Sequence, residues 1–245
     1  MIAFLQTSAI ASAGIEGLPL PYSLRMENWV TLVLLACFFF TAWILSHNRI
    51  YLYQQGRDFL LHRERSELFG TSMEGDVRLL LLLVGQTCIL AGIYLFDCFS
   101  SCQPALASHS PSWLLAAIYM GFCLAYVLFK WLLYSLLGWI FLDKAKASFW
   151  LKSYSTLLYY QGFALFPLVL LVVYLNAGPE FLLAAGLVLL LFFKILAFYK
   201  CLRLFCNRLY GCFPLILYFC ALEIIPCLIL YRGLEHLNNY WIIKS

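Results

Sequence analysis

Apolar residues fall in six long blocks along the chain, at about 29–46, 77–96, 113–142, 155–174, 181–199 and 209–231, with short polar stretches between them. A helix crosses the hydrocarbon core of a bilayer in about 20 apolar residues, and the six blocks are of that length or longer. The pattern predicts an all-α, polytopic membrane protein: a bundle of six transmembrane helices over 27–232, a short external N-terminal tail over 1–26 and an external C-terminal tail over 233–245. Asp97 closes the second block. Asp143, Lys144, Lys146 and Lys152 form the connection from the third to the fourth, and a tight turn from Asn176 to Pro179 precedes the fifth.

The longest polar stretch, 48–76, contains Arg49, Arg57, Arg63 and Arg65. Phe59, Leu60, Leu61, Leu68 and Phe69 alternate with these charges at roughly helical spacing. That is the pattern of an amphipathic helix lying on the headgroups, with a solvated helical loop as the alternative. Thr71 and Glu74 have capping-box spacing before the second block, where their side chains can satisfy free N–H groups at a helix start. Basic residues concentrate in the connections after the first, third and fifth blocks and are missing from the other two. The positive-inside rule then places those three connections in the cytoplasm and both termini outside. Residues 1–23 imitate a signal peptide through small residues around Ala9, Ala11 and Ala13. The basic n-region and a sustained apolar core are missing, so this stretch reads as an ordinary tail.

Composition agrees with this architecture. Of 245 residues, 64% are hydrophobic and 11% charged, and the mean hydropathy is +0.88. A soluble domain cannot hide that much apolar surface, and no polar stretch is long enough to own a separate core. The net charge of +4 reads as topology and contact with the lipid bilayer, not nucleic-acid binding. The ten Cys behave chiefly as small hydrophobes. Cys201, Cys206 and Cys212 match no zinc spacing. His47, His62, His109 and His236 fall outside the blocks, which argues against a haem held between membrane helices. HExxH, a Walker lysine in a glycine loop and G-x-S-x-G are all missing. The sequence calls for no metal and no cofactor.

The third block carries the most informative feature. Stepping by three or four residues gives Tyr119, Cys123, Tyr126, Lys130, Tyr134 and Gly138, a polar and small-residue stripe on one helix face. A lysine at that depth costs roughly 3 kcal/mol on insertion scales and so requires a protein interior and a partner. Lys130 lies about 18 Å above the cytoplasmic end of its block, and Glu223 about as far above the start of the sixth. Lys194 lies lower, roughly 9 Å above Lys200. Helical side chains lean toward their N-terminus, which brings Lys194 up and Glu223 down. One buried cluster of Lys130, Glu223 and Lys194 follows. It serves either as a structural ion pair that fixes helix packing or as a proton relay or anion site. A short match between Leu128–Tyr134 and Phe192–Phe198 places a lysine at the same point in both.

Further candidates are weaker. Pro167, Pro214 and Pro226 each remove a helical hydrogen bond and predict kinks; broken helices beside a buried charge are a feature of transporters. Gln86 and Gln161 either line a polar cavity or bond a neighbouring helix. Cys98 and Cys102 fall at the outer surface, where an oxidising compartment permits a disulfide if the local geometry allows it.

The segments Leu20–Thr31, Leu128–Phe141, Phe198–Cys201 and Leu215–Pro226 resemble an uncharacterised family of multi-pass inner-membrane proteins from Bacteroidota, catalogued as a domain of unknown function. The resemblance implies a bacterial inner-membrane location and supplies no activity, substrate or catalytic residue. Three functions remain open on the residues alone. The first is a non-catalytic subunit or assembly factor of a cell-envelope complex, partnered by other membrane proteins. The second is a small proton-coupled transporter or channel using the Lys/Glu cluster. The third is a membrane enzyme acting on a lipid or isoprenoid.

Overall fold

The computed structural model describes residues 24, 27–61, 73–102, 111–141, 144–175, 179–205 and 212–244. They form six helices: α1 (Asn28–Leu61), α2 (Met73–Cys102), α3 (Ser112–Phe141), α4 (Lys144–Leu175), α5 (Pro179–Phe205) and α6 (Cys212–Lys244). Five of them, α1 to α5, are long and apolar enough to cross a membrane, which makes this a multi-pass membrane protein. At 27 to 34 residues each helix extends about 40–51 Å, well beyond a hydrocarbon core of about 30 Å.

Helix boundaries therefore depart from the apolar blocks. The backbone ladder continues wherever successive residues stay helical, whether or not they are apolar. So α1 runs through the first polar residues to Leu61, and what was expected as a separate surface helix from Arg57 is, up to that point, the end of α1. The remainder of that stretch, with Thr71, lies outside the described residues. Asp97 sits inside α2 instead of ending it. Lys144, Lys146 and Lys152 belong to the first turns of α4. The expected C-terminal tail is the last third of α6, with Leu234 and Asn238 fully buried. Pro179 opens α5, where its missing N–H removes no helical bond.

Successive helices run antiparallel, and α2 is the centre of the bundle: 61% of its apolar window is buried, against 17% for α5. One core joins the C-terminal half of α2 to α1, α3 and α4 through Val30, Leu34, Ile93, Phe96, Leu115 and Val169. A second joins its N-terminal half to α3, α4 and α5 through Leu80, Val84, Val127, Tyr134, Trp150 and Cys201. Gln86 donates from α2 to the Cys37 carbonyl (3.1 Å) and the Thr41 hydroxyl (2.6 Å) of α1. It binds helix to helix.

Three interfaces share one device. The Tyr160 hydroxyl of α4 donates to the Leu52 carbonyl of α1 at 3.0 Å. That of Thr87 in α2 lies 3.3 Å from the Leu158 carbonyl of α4, and that of Tyr94 in α2 donates to the Leu182 carbonyl of α5. In each case the residue four positions after the carbonyl is glycine: Gly56, Gly162 and Gly186. A Cβ there would lie 2.1–2.2 Å from the incoming hydroxyl oxygen. The glycine clears the groove through which a neighbouring helix reaches a carbonyl, as small residues do at membrane helix interfaces. At Gly92 the obstruction includes backbone: its Cβ would lie 2.6 Å from the Met120 Cγ, 2.7 Å from its Cα and 2.8 Å from its N.

These contacts separate two kinds of tight approach. Gly56→Ala should cost about 1–3 kcal/mol, and clearly less in a Tyr160→Phe background, where the hydroxyl at 2.1 Å is gone and a ring carbon at 3.0 Å is the remaining close contact. Gly92→Ala should cost at least as much and gain less relief from Met120→Ala, whose backbone stays in place. Thermal midpoints in detergent for the four variants and the two pairs are the measurement.

Candidate functional site

Helix α3 presents Tyr119, Cys123, Lys130 and Tyr134 inward, each 5% exposed or less, with Tyr126 half-buried beside them. Leu124, Leu128, Phe129, Leu132 and Leu136 lie on its outer faces, 44–55% exposed. The stripe does not serve one site. Tyr119 donates to the Asn238 carboxamide oxygen of α6 at 2.7 Å and packs edge-on to Phe96 of α2, away from the charges. Cys123 is packed in the second core.

Lys130, Lys194 and Glu223 come together where α3, α5 and α6 meet. The Lys130 ammonium donates to Glu223 Oε2, and Lys194 donates to the same oxygen. Tyr134 donates to the other oxygen, Oε1. The carboxylate is thus held on both sides by three charge-assisted or hydroxyl donors. Lys194 Nζ also lies 3.3 Å from the Tyr126 hydroxyl, which in turn touches Cys227 Sγ at 3.1 Å. Around Lys130 Nζ stand the rings of Tyr126, Tyr134 and Tyr154, with centroids at 5.5, 5.8 and 5.4 Å. Ring faces attract a cation, more strongly where water is excluded. With Lys130 only 1% exposed, this aromatic cage stands in for its hydration shell.

The two lysines share a depth. Lys130 lies nine residues before the end of the α3 apolar window at Trp139, and Lys194 eight before the end of the α5 window at Leu202. Both are therefore about 12–14 Å from the same end of the bundle. The offset expected from the sequence vanishes because α5 continues past Lys200 while the α3 window stops short of Leu142. Tyr134 and Tyr154 pack edge-to-face at 4.9 Å, and Tyr134 stacks likewise on Trp150 at 5.7 Å. Tyr154, Trp150 and Cys227 were not singled out from the sequence. Nothing distinguishes them from the other 15 Tyr, 6 Trp and 9 Cys except the turn-by-turn spacing of Trp150, Tyr154 and Leu158 on α4.

Pro226 lies inside α6, one turn after Glu223, and Pro167 inside α4. Pro214 is the third described residue of α6; Tyr210, with the rest of 206–211, lies outside the described residues. Cys98 is buried near the end of α2; the Cys102 side chain, and with it any bridge, lies outside the described residues. Gln161 is half-buried on α4. Among the described residues no three His, Cys, Asp or Glu side chains gather as a metal-ligating group.

Residues 30–234 match a protein family described as a domain of unknown function, DUF4271. The chain belongs to this family. The match takes in all of the charged cluster and its tyrosine cage, so these lie within the DUF4271 domain proper. No curated protein and no solved structure matches the chain.

The shared carboxylate ranks the mutants. Removing one partner of a buried pair typically costs about 3–5 kcal/mol. Glu223→Gln strands two lysines and should cost the most. Lys130→Met leaves the pair of Lys194 and Glu223 intact and should cost less. Lys130→Met combined with Glu223→Gln should fall well short of the sum, with Lys194 alone left to satisfy. A double-mutant cycle on thermal stability reads this directly, and strict additivity would mean that the residues do not interact.

Proposed function

We propose that this DUF4271 protein is a non-catalytic subunit or assembly factor of a cell-envelope complex, embedded in the inner membrane of a bacterium of the Bacteroidota. It spans that membrane six times, with both termini outside. The observation that carries this reading is the closure of the cluster: the acceptors of Glu223 are taken up by Lys130, Lys194 and Tyr134, and Lys130 is almost wholly enclosed. Such a centre has the Glu223 acceptors and the Lys130 ammonium committed to holding helices together, as polar contacts between membrane helices do. Helix α6, which carries Glu223 into that centre, is read as the sixth span. The orientation rests on the basic residues gathered at 49–65, 144–152 and 200–208.

One observation favours a second reading. Lys194 is 28% exposed and shares its carboxylate with Lys130, an arrangement in which a proton or anion can be exchanged at the rim while Lys130 stays shielded. A small proton-coupled transporter built on the same three residues is the alternative.

Two measurements test the reading. Cysteines introduced at Ser66 and Ser108 in a cysteine-free background should label from opposite sides, residue 108 from outside. Labelling of residue 108 only from inside inverts the topology. Purification at native expression level should bring down a stoichiometric membrane partner. A solitary protein that acidifies or discharges vesicles, with the effect lost in Glu223→Gln, would instead establish the transporter.

A further inference from the structure

Two lysines meet one carboxylate, so with both ammonium groups charged the cluster carries one unit of positive charge in excess. Lys130 is sealed, but Lys194 opens onto the outer face of α5. Leu191 and Phe198, a turn to either side of it on the same face, are 50% and 38% exposed, and Ile224 beside Glu223 is 58% exposed. An excess charge facing hydrocarbon is costly, and such residues normally face a protein partner or a polar cavity.

We propose that the α5–α6 face is a docking site for a transmembrane helix of a different protein, one that carries an Asp or Glu at the depth of Lys194. This deepens the subunit reading above and rests on it. Depth selects the occupant. The ammonium of Lys194 is held at Glu223, about 12 Å from the end of its apolar window, too deep for a lipid phosphate at the headgroup level. A second copy of this chain does not fit either. Among the described residues the only acids inside the apolar stretches are Asp97, Glu180 and Glu223. Asp97 is buried in α2, Glu180 opens α5 some 21 Å away from Lys194, and Glu223 is already bound. The partner must bring its own carboxylate. The incoming helix also covers the flank of the least buried of the five apolar helices.

A photoreactive residue placed at Ile195 in the full chain, in native membranes, tests this. The supporting result is an adduct whose linked peptide lies in a transmembrane helix of another protein and contains an Asp or Glu within one turn of the link. Lys194→Met should lower its yield roughly three- to thirtyfold, the scale of one polar contact between membrane helices, and Lys194→Arg should retain it. Because Lys194→Met keeps the pair of Lys130 and Glu223, its thermal midpoint should fall less than that of Glu223→Gln, and a single cooperative melting transition will show that the variant is folded. Replacing the partner's acid with its amide provides a second route to the same loss. Adducts with lipid or with a second copy only, a linked helix without an acid, or a yield indifferent to Lys194→Met overturn the proposal. Probes at Trp43 on α1 and Trp139 on α3 separate the two levels. Protein adducts there but none at Ile195 overturn the docking site and leave the subunit reading standing, whereas none anywhere sinks both.

Discussion

A lysine ammonium in the apolar depth of a membrane protein has no water to turn to, and the arrangement of half this bundle follows from that. Lys130 is satisfied by one carboxylate oxygen and three tyrosine faces. Those groups come from three helices, Tyr126 and Tyr134 from α3 itself, Tyr154 from α4 and Glu223 from α6, and Lys194 of α5 meets the same carboxylate. Shifting α6 by one turn, about 5.4 Å, would take Glu223 out of reach of both lysines. A buried ion pair contributes little net stability over a well-packed apolar equivalent, so what the cluster supplies is register among three helices, to which the Tyr119–Asn238 hydrogen bond adds for α3 and α6.

The other half of the bundle solves a weaker form of the same problem. Hydroxyls of Tyr94 and Tyr160 must also find acceptors, and each finds a carbonyl on a neighbouring helix that is already in its own helical ladder; that of Thr87 lies 3.0 Å from the Leu83 carbonyl of its own helix and 3.3 Å from the Leu158 carbonyl of α4. A carbonyl has a second lone pair to offer, but an ordinary side chain four residues on would block access to it. Glycine at 56, 162 and 186 opens the way, at the expense of helix propensity. The result is that α1, α2, α4 and the first turns of α5 are aligned by small contacts spread over the interfaces. The remainder of α5 is aligned with α6 at one concentrated polar knot, and α6 is tied to α3 a second time through Asn238.

These two devices were not equally legible in the sequence. The knot announced itself because a charge in an apolar block has few explanations, and the 3.6-residue period assigns its face. The lysines and the glutamate could be matched from depth alone. The tyrosine cage could not: a tyrosine in a membrane helix serves equally as core, cage or interface anchor, and only the neighbour decides. The glycine–hydroxyl pairs were invisible for a similar reason, since each is a relation between two helices that share no sequence signal. Helix ends misled as well. Hydropathy locates where apolar side chains stop, at Ser46, Phe96 or Ser155, whereas the backbone keeps its ladder to Leu61, to Cys102 and back to Lys144.

The position of the knot matters as much as its chemistry. A polar centre needed only for the stability of this chain would be best enclosed at α2, where burial is greatest and no charge need face lipid. Here the knot lies off to one side, under α5 and α6, with its second lysine on the outer flank and Glu223 itself 17% exposed. Enclosing Lys130 and leaving Lys194 open divides the labour: one lysine fixes the carboxylate from within, and the other keeps positive potential at the surface of the bundle. That asymmetry is wasted in an isolated monomer. It has a use where something negatively charged arrives from outside the bundle, whether carried on another helix or passing as an ion, and both readings of this protein depend on the same exposed ammonium.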